Sequence, residues 1–316
     1  MTMTFDIIIF DNVGVTFAGD TLRWGGLGGS EMQQIVLAEA LTKAGMKVAC
    51  MNRMPSWCKV RGVDYLPIDM MAFEKFSCGT LIVERSTPVP HTKHIEYKKV
   101  LRWITDAHGD YPTSEHIVCL SEFQAGLLSE DHERSVINFI VPNALYDRKR
   151  NRNTKEHSFI YASAAMKGLR QTLEFFSSMK QTKEYKNATL KVLNPGYDLP
   201  KEVKYEGVEF LGALPFREVM DEYQTCRSML MVMPFRETFG LAQVFAEALG
   251  LNVFVFQALG KDALSELCNS PLITDDPKRF QNSMNAFGLD PSRFKPVPHK
   301  MFLESDIVPQ WQKLFA

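Results

Sequence analysis

Short apolar runs recur along the whole chain, and between them lie stretches whose apolar positions repeat at helical spacing. In the first half, residues 5–10 (FDIIIF), 47–51, 80–84 (TLIVE), 100–104 (VLRWI), 116–120 (HIVCL) and 136–142 (VINFIVP) have strand length. Residues 32–45 have helical spacing and stop at Gly45, and 122–130 read as a short helix opened by Ser121. The second half repeats the alternation. Strands are expected at 158–163, 188–193, 208–215, 228–233 and 252–256, and helices at 169–179, 217–227, 261–267, 276–287 and 306–315. Strand and helix in alternation predict an α/β protein with parallel sheets.

The stretch 234–250, PFRETFGLAQVFAEALG, stands between two of these apolar runs and reads as a tight turn followed by a helix. Glu237 falls in the turn, and Thr238 and Gly240 open the helix. A helix start beside a strand end offers free N–H groups to an anion, and Gly240 lets a ligand approach the backbone. The same spacing also fits an ordinary strand-to-helix turn with a capping Thr. A second glycine-rich stretch, 25–31 (GGLGGSE), precedes the helix at 32–45, with Ser30 as its expected cap. It can wrap a phosphate or serve as a connector. Gly26-x-Gly28 is followed by Glu31 where the dinucleotide pattern needs a third glycine, which counts against an NAD-type enzyme or epimerase, and the stretch has no P-loop Lys-Ser/Thr.

The run at 100–104 leads into Thr105-Asp106-Ala107-His108, polar residues at the carboxyl end of a parallel strand, where ligands gather in open sheets. Asp106 and His108 are candidates for bonding hydroxyls or moving protons; a capping Asp with a surface His is the plainer alternative. Between 142 and 157 the composition turns polar, with Arg148, Lys149, Arg150, Arg152 and Lys155 in one run. That run reads as a solvated linker or as a basic rim for an anionic acceptor, nucleic acid included.

Composition narrows the picture little further. The chain has 316 residues, 45% hydrophobic and 23% charged, with a formal net charge of -1. This balance suits a globular protein and gives no global pull toward nucleic acid or anionic membrane. Six scattered cysteines without a CxxC pair are expected as buried free thiols in a reducing compartment. The first apolar run is too short for a membrane span or a signal segment, so a cytoplasmic location is expected.

Six segments in order resemble those of a GT-B glycosyltransferase, nearest the short members of retaining family 4. Residues 25–31 resemble the family's GG-x-GG-[SA]-E loop, 119–123 (CLSEF) its V-x-S-E-F segment, and 141–143 (VPN) its I-P-N before the linker. Residues 161–169, from Tyr161-Ala162-Ser163 to Lys167-Gly168-Leu169, resemble the Y-x-S…[RK]-G-L turn. Residues 237–241 (ETFGL) are similar to the E-x-F-G-L half of the Glu-x7-Glu motif, and 306–315 to the closing helix.

The resemblance implies two facing Rossmann-like domains with an interdomain cleft: 1–147 for the acceptor, a basic linker 148–156, 157–302 for the nucleotide sugar, and a helix 303–316 returning to the first domain. It implies a nucleotide-diphosphate sugar as co-substrate, with no other cofactor and no metal; Asp275-Asp276 before Pro277 reads as a helix cap. Lys167 would pair with the diphosphate, and the amides of Phe239, Gly240 and Leu241 would cradle the distal phosphate and sugar. Glu237 would accept from sugar hydroxyls, the backbone near Ala213 and Leu214 would read the base, and Gly28 and Gly29 would close over the diphosphate. The expected reaction is metal-independent, retaining transfer to a hydroxyl of a glycan or lipid-linked precursor. Two alternatives are a hydroxymethylated base in phage-type DNA and a protein that binds without turnover. The last rests on Phe245, which stands where the family has its second, ribose-holding glutamate; Glu247 lies two residues on, about 200° around the helix.

Overall fold

A computed structural model of the chain describes residues 2–106, 111–147, 154–194, 204–295 and 301–316. The chain forms two compact units: one comprises Met1–Leu22, Gly28–Val141 and Phe302–Ala316, the other Arg23–Leu27 and Pro142–Met301.

In chain order the first half runs β1 (Thr2–Phe10), α1 (Thr21–Trp24), α2 (Gly29–Lys43), β2 (Val48–Asn52), β3 (Cys58–Val60), β4 (Val63–Pro67), β5 (Lys75–Glu84), β6 (Ile95–Trp103), β7 (His116–Cys119), α3 (Glu122–Ala125) and β8 (Arg134–Val136). The sheet order is β3-β4-β2-β1-β5-β6-β7-β8, parallel throughout except for the β3–β4 pair. The central strands carry continuous apolar runs because both sheet faces are covered: Ile7, Ile8, Ile9, Leu81, Ile82 and Val83 are all buried.

The second half runs α4 (Asn143–Tyr146), β9 (Ser158–Ala162), α5 (Leu169–Met179), β10 (Thr189–Leu193), β11 (Val208–Gly212), α6 (Phe216–Thr225), β12 (Ser228–Met233), α7 (Leu241–Ala248), β13 (Asn252–Gln257), α8 (Ala263–Leu267), β14 (Ile273–Thr274) and α9 (Pro277–Leu289). Its sheet, β11-β10-β9-β12-β13-β14, is wholly parallel. Helix α5 buries Leu169, Thr172, Leu173, Phe176 and Met179, the stripe its spacing predicts. An aromatic cluster of Phe159, Phe176, Tyr185, Phe254 and Phe287 fills the space beside it. The last helix, α10 (Glu304–Phe315), belongs to the first unit. There the Trp311 ring meets that of Trp103 edge-on at 5.3 Å, and Lys43 Nζ lies 2.8 Å from Glu304.

Three sequence expectations need correction, and one strand pair was not foreseen. The strand expected at 136–142 ends at Val136. Beyond it the backbone of Ile140 bonds the side chain of Gln33, N–H to Oε1 and C=O from Nε2, both at 3.0 Å, so a side chain replaces the ladder. The helix expected at 122–130 is a single turn ending at Gly126, although Ser121 does cap it by accepting from the Gln124 N–H. Helix α2 begins before Ser30, with Gly28 as its cap, because the Ser30 hydroxyl is engaged elsewhere. The β3–β4 edge was not expected; it is held by the buried carboxylate of Asp64, which accepts from Trp57 Nε1 at 3.0 Å and Lys59 Nζ at 3.2 Å.

The cysteines are all free, and all but Cys58 are buried. Burial pushes the Cys119 thiol up to about 12 and that of Cys226 to about 11, so they remain unreactive thiols. Among the described residues no helix is long and apolar enough to cross a membrane.

Candidate functional site

In each sheet the chain leaves a central strand in one direction and later returns to its other side. In the second unit this happens between β9 and β12, in the first between β1 and β5. The carboxyl ends of such a strand pair leave a crevice that their connections do not cover, the usual ligand position in open α/β sheets.

At the β9–β12 crevice, the turn after β9 carries Lys167 and the turn after β12 carries Glu237. Lys167 Nζ donates to Glu237 Oε1 at 2.8 Å and lies 5.4 Å from the Phe235 ring centre. The lysine side chain is 38% exposed and that of the glutamate 8%, so the ammonium keeps an open side while the carboxylate is sunk. Gly168 makes this approach possible. Its φ is +95°, and a Cβ there would sit 2.1 Å from the Val232 carbonyl oxygen. Thr172 completes the joint, donating from Oγ1 to the Gly168 carbonyl at 2.8 Å and accepting from the Val232 N–H at 2.9 Å.

Gly240, not Thr238, is the cap of α7. It has φ +80° and ψ +54°, and a Cβ would lie 2.1 Å from Leu264 Cδ2. Thr238 and Phe239 are buried beneath the turn, and Leu241 is the first helical residue. The turn is stapled to α8: the Glu237 N–H donates to Asp262 Oδ2 at 2.7 Å, and the Ala263 N–H donates to the Glu237 carbonyl at 3.3 Å. Asp262 also accepts from the Leu264 N–H at 2.9 Å and from Gln257 Nε2. Burial raises its carboxyl to about 6 against the pull of the Glu237 and Leu264 N–H groups.

Ala213 follows β11, exposed, and Leu214 is half-buried beside it. Phe245 is buried and meets Phe216 edge-on at 5.8 Å. Glu247 is engaged by the chain after α8: its carboxylate accepts from the N–H groups of Asn269 at 3.0 Å and Ser270 at 2.6 Å. Asp276 caps α9 through the N–H groups of Lys278 and Arg279.

The crevice of the first unit is built differently. Asp11 follows β1, Glu84 ends β5, and Glu31 lies in the first turn of α2; all three are buried. Arg85 Nη2 meets Glu31, and it meets Asp11 Oδ2 at 3.2 Å. Arg85 holds φ +52°, a left-handed conformation that costs an arginine energy and is kept by these contacts. Burial raises Glu84 well above the usual carboxylate range, despite Arg85 and the Thr105 hydroxyl that bonds it. Its Oε2 has no hydrogen-bond partner among the described residues.

Thr105 in turn accepts from the Ser30 hydroxyl at 2.8 Å, which ties the glycine-rich stretch to the end of β6. Gly28 is buried as the α2 cap and Gly29 is exposed in its first turn. Asp106 is exposed; its carbonyl accepts from Gln124 Nε2 at 2.8 Å and its carboxylate from Tyr111 Oη at 3.3 Å. His108 lies outside the described residues, as do Arg148, Lys149, Arg150 and Arg152. Among the described residues no group of three or more His, Cys, Asp or Glu is placed to hold a metal ion.

The sequence reading missed Asp11, Glu84, Arg85 and Asp262. A signal existed for the first three: a charged residue closing an otherwise apolar strand run, FDIIIFD and TLIVER.

No protein-family model matches the chain, and a comparison with curated proteins finds no match. Solved structures do match over nearly the full length. A sucrose-phosphate synthase from Thermosynechococcus elongatus superposes with a TM-score of 0.72 at 13% identity, covering 99% of this chain and 98% of the other. HepE of Anabaena, solved with UDP and glucose, gives 0.63 at 12% identity over 99% of each chain. WaaG, a glycosyltransferase involved in lipopolysaccharide biosynthesis, gives 0.63 at 11% identity over 96% of this chain and 99% of its own. The fold is that of the GT-B glycosyltransferases, with two Rossmann-like parallel sheets.

Proposed function

We propose that this protein is a glycosyltransferase that takes its sugar from a nucleoside-diphosphate sugar held on the second unit. The observation that carries the reading is the Lys167–Glu237 pair at the β9–β12 crevice, one residue from Gly168 and three from the Gly240 cap. A half-exposed ammonium beside a helix start suits a diphosphate, and a sunk carboxylate beside it suits sugar hydroxyls. The two neutralise each other in the free chain. An arriving diphosphate draws the ammonium, and the carboxylate turns to the sugar. Breaking the bond between the anomeric carbon and the diphosphate oxygen leaves the electron pair on that oxygen. Lys167 and the α7 amides stabilise it, each well-placed donor contributing roughly 3 kcal/mol. The acceptor hydroxyl oxygen then bonds the anomeric carbon from the same face and gives up its proton to the departing diphosphate oxygen. The reading assigns no metal and takes a glycan or lipid-linked hydroxyl as acceptor. The neighbours that carry this fold, one solved with UDP-glucose, support the donor class.

Release of free nucleotide from a panel of sugar donors, with and without glycan, lipid-linked and hydroxymethylated-DNA acceptors, tests the proposal. Release that falls about 100- to 1,000-fold in Lys167→Ala is the expected result; no release from any donor by the unaltered protein rejects it. One observation favours a second reading, binding without turnover: Phe245 packs against Phe216 where the resembling family has a carboxylate. Saturable donor binding with no release under any acceptor distinguishes it.

A further inference from the structure

We infer that Asp262 is the positioning residue of the donor site, holding the Glu237 turn in its sugar-binding shape through the Glu237 backbone. The inference rests on the donor reading of Glu237 given above. Helix α8 supports that turn at three points. The Asp262 carboxylate accepts from the Glu237 N–H, the Ala263 N–H donates to the Glu237 carbonyl, and the Leu264 side chain fills the space a Cβ on Gly240 would need. Only the first of these uses a charged group, and that group is buried to 3% exposure.

A carboxylate is a costly choice for this place if helix capping were its whole purpose. Serine caps a helix start about as well and carries no charge to desolvate. What a serine lacks is reach. One Asp262 oxygen, Oδ1, serves α8 and Gln257, while the other, Oδ2, faces the Glu237 N–H 25 residues upstream. The two oxygens thus divide between capping the helix and holding the crevice. With both backbone groups of Glu237 fixed, its side chain leaves the turn in one direction, toward Lys167.

The division gives a selective variant. Asp262→Ser keeps an oxygen for the Leu264 N–H and removes the one facing Glu237. Asp262→Asn keeps the size and presents an N–H₂ donor to one of the two sites. Amide hydrogen exchange of the free protein is the first measurement. The Glu237 amide is expected to exchange at least about 10-fold faster in Asp262→Ser, as for loss of a hydrogen bond to a charged group, with the Leu264 amide unchanged. Binding of UDP and of UDP-glucose is the second. UDP affinity should stay within about twofold while UDP-glucose weakens about 10-fold or more, because the Glu237 carboxylate meets the sugar, which UDP lacks. Asp262→Asn should move both readouts in the same direction.

An unchanged Glu237 amide overturns the inference, and so does equal weakening of UDP and UDP-glucose. If the unaltered protein binds neither of these nor any other nucleoside diphosphate or its sugar from the donor panel, the donor reading fails and with it the sugar-binding role. The exchange measurement then still decides whether the staple exists.

Discussion

The two units of this protein place charged residues at the same point of the same topology and use them in opposite ways. At the β1–β5 crevice three buried carboxylates share one guanidinium, and nothing in the set is well exposed. At the β9–β12 crevice one lysine faces one glutamate, with the lysine's open side toward solvent. Burial decides the difference. A deeply buried carboxylate needs its compensation close by, because each uncompensated charge costs several kcal/mol; one guanidinium serves Asp11 and Glu31, and burial holds Glu84 well above the usual carboxylate range. A half-exposed ammonium is hydrated whether or not its partner is present, so it is free to exchange one anion for another. The first crevice therefore holds its own elements together, joining β1, β5 and α2, while the second, under the proposed function, exchanges its glutamate for the donor's diphosphate.

The largest effect should separate these two uses. Arg85→Met leaves Asp11 and Glu31 without their cation and is expected to destabilise the first unit by about 3–5 kcal/mol. Urea unfolding measures this, and a loss under about 1 kcal/mol would erase the contrast. Lys167→Ala is the counterpart. It should cost under about 1 kcal/mol in the same unfolding experiment, yet lower nucleotide release from the productive donor about 100- to 1,000-fold, as loss of one charge-stabilising group does. A large stability loss with intact turnover would reverse the assignment of the two crevices.

Asp262 supplies a pH test. Its carboxyl is raised in the folded chain, to about 6 from an ordinary 3.8. Between those values the folded state binds more protons than the unfolded one, so this residue's contribution to stability falls as pH rises from about 4 to about 6. Glu237 is the charged neighbour that adds to the rise, after burial itself. Asp262→Asn lacks the titration. Its stability relative to the unaltered protein should improve by about 2–3 kcal/mol between pH 4 and pH 7. A difference that does not vary with pH would mean the carboxyl titrates normally. The smallest effect belongs to Glu247, whose carboxylate serves the Asn269 and Ser270 amides. Glu247→Gln should cost about 1–2 kcal/mol with turnover unchanged; a fall in turnover instead would draw Glu247 into the site.

Much of the fold could be read along the chain. Helix α5 has the bounds its apolar spacing predicts, and strands β9, β12 and β13 fall on their apolar runs. The readings that failed did so where a side chain outcompeted the backbone. Gln33 bonds the backbone of Ile140 in place of a strand partner, and Ser30 bonds Thr105 instead of capping its helix. Glu237 and Gly240 could be picked out because they sit in a short turn between a strand and a helix, and Lys167 through the resemblance of its Lys-Gly-Leu turn. Asp262 could not, since a KDALSEL stretch looks like any capped helix until its partner is known.

The sequence by itself determined the alternation of strand and helix, the two α/β halves, and the glycine at 240, because period and backbone geometry are local properties. Only the tertiary structure decided the company each charge keeps. Arg85 meets Asp11 across 74 residues, Lys167 meets Glu237 across 70, and Glu237 meets Asp262 across 25. The physical reason lies in the strand order. A parallel sheet sets the ends of strands side by side in an order that no local period records. Each of these pairings forms where two strand ends, or a strand end and a later helix, arrive at the same edge.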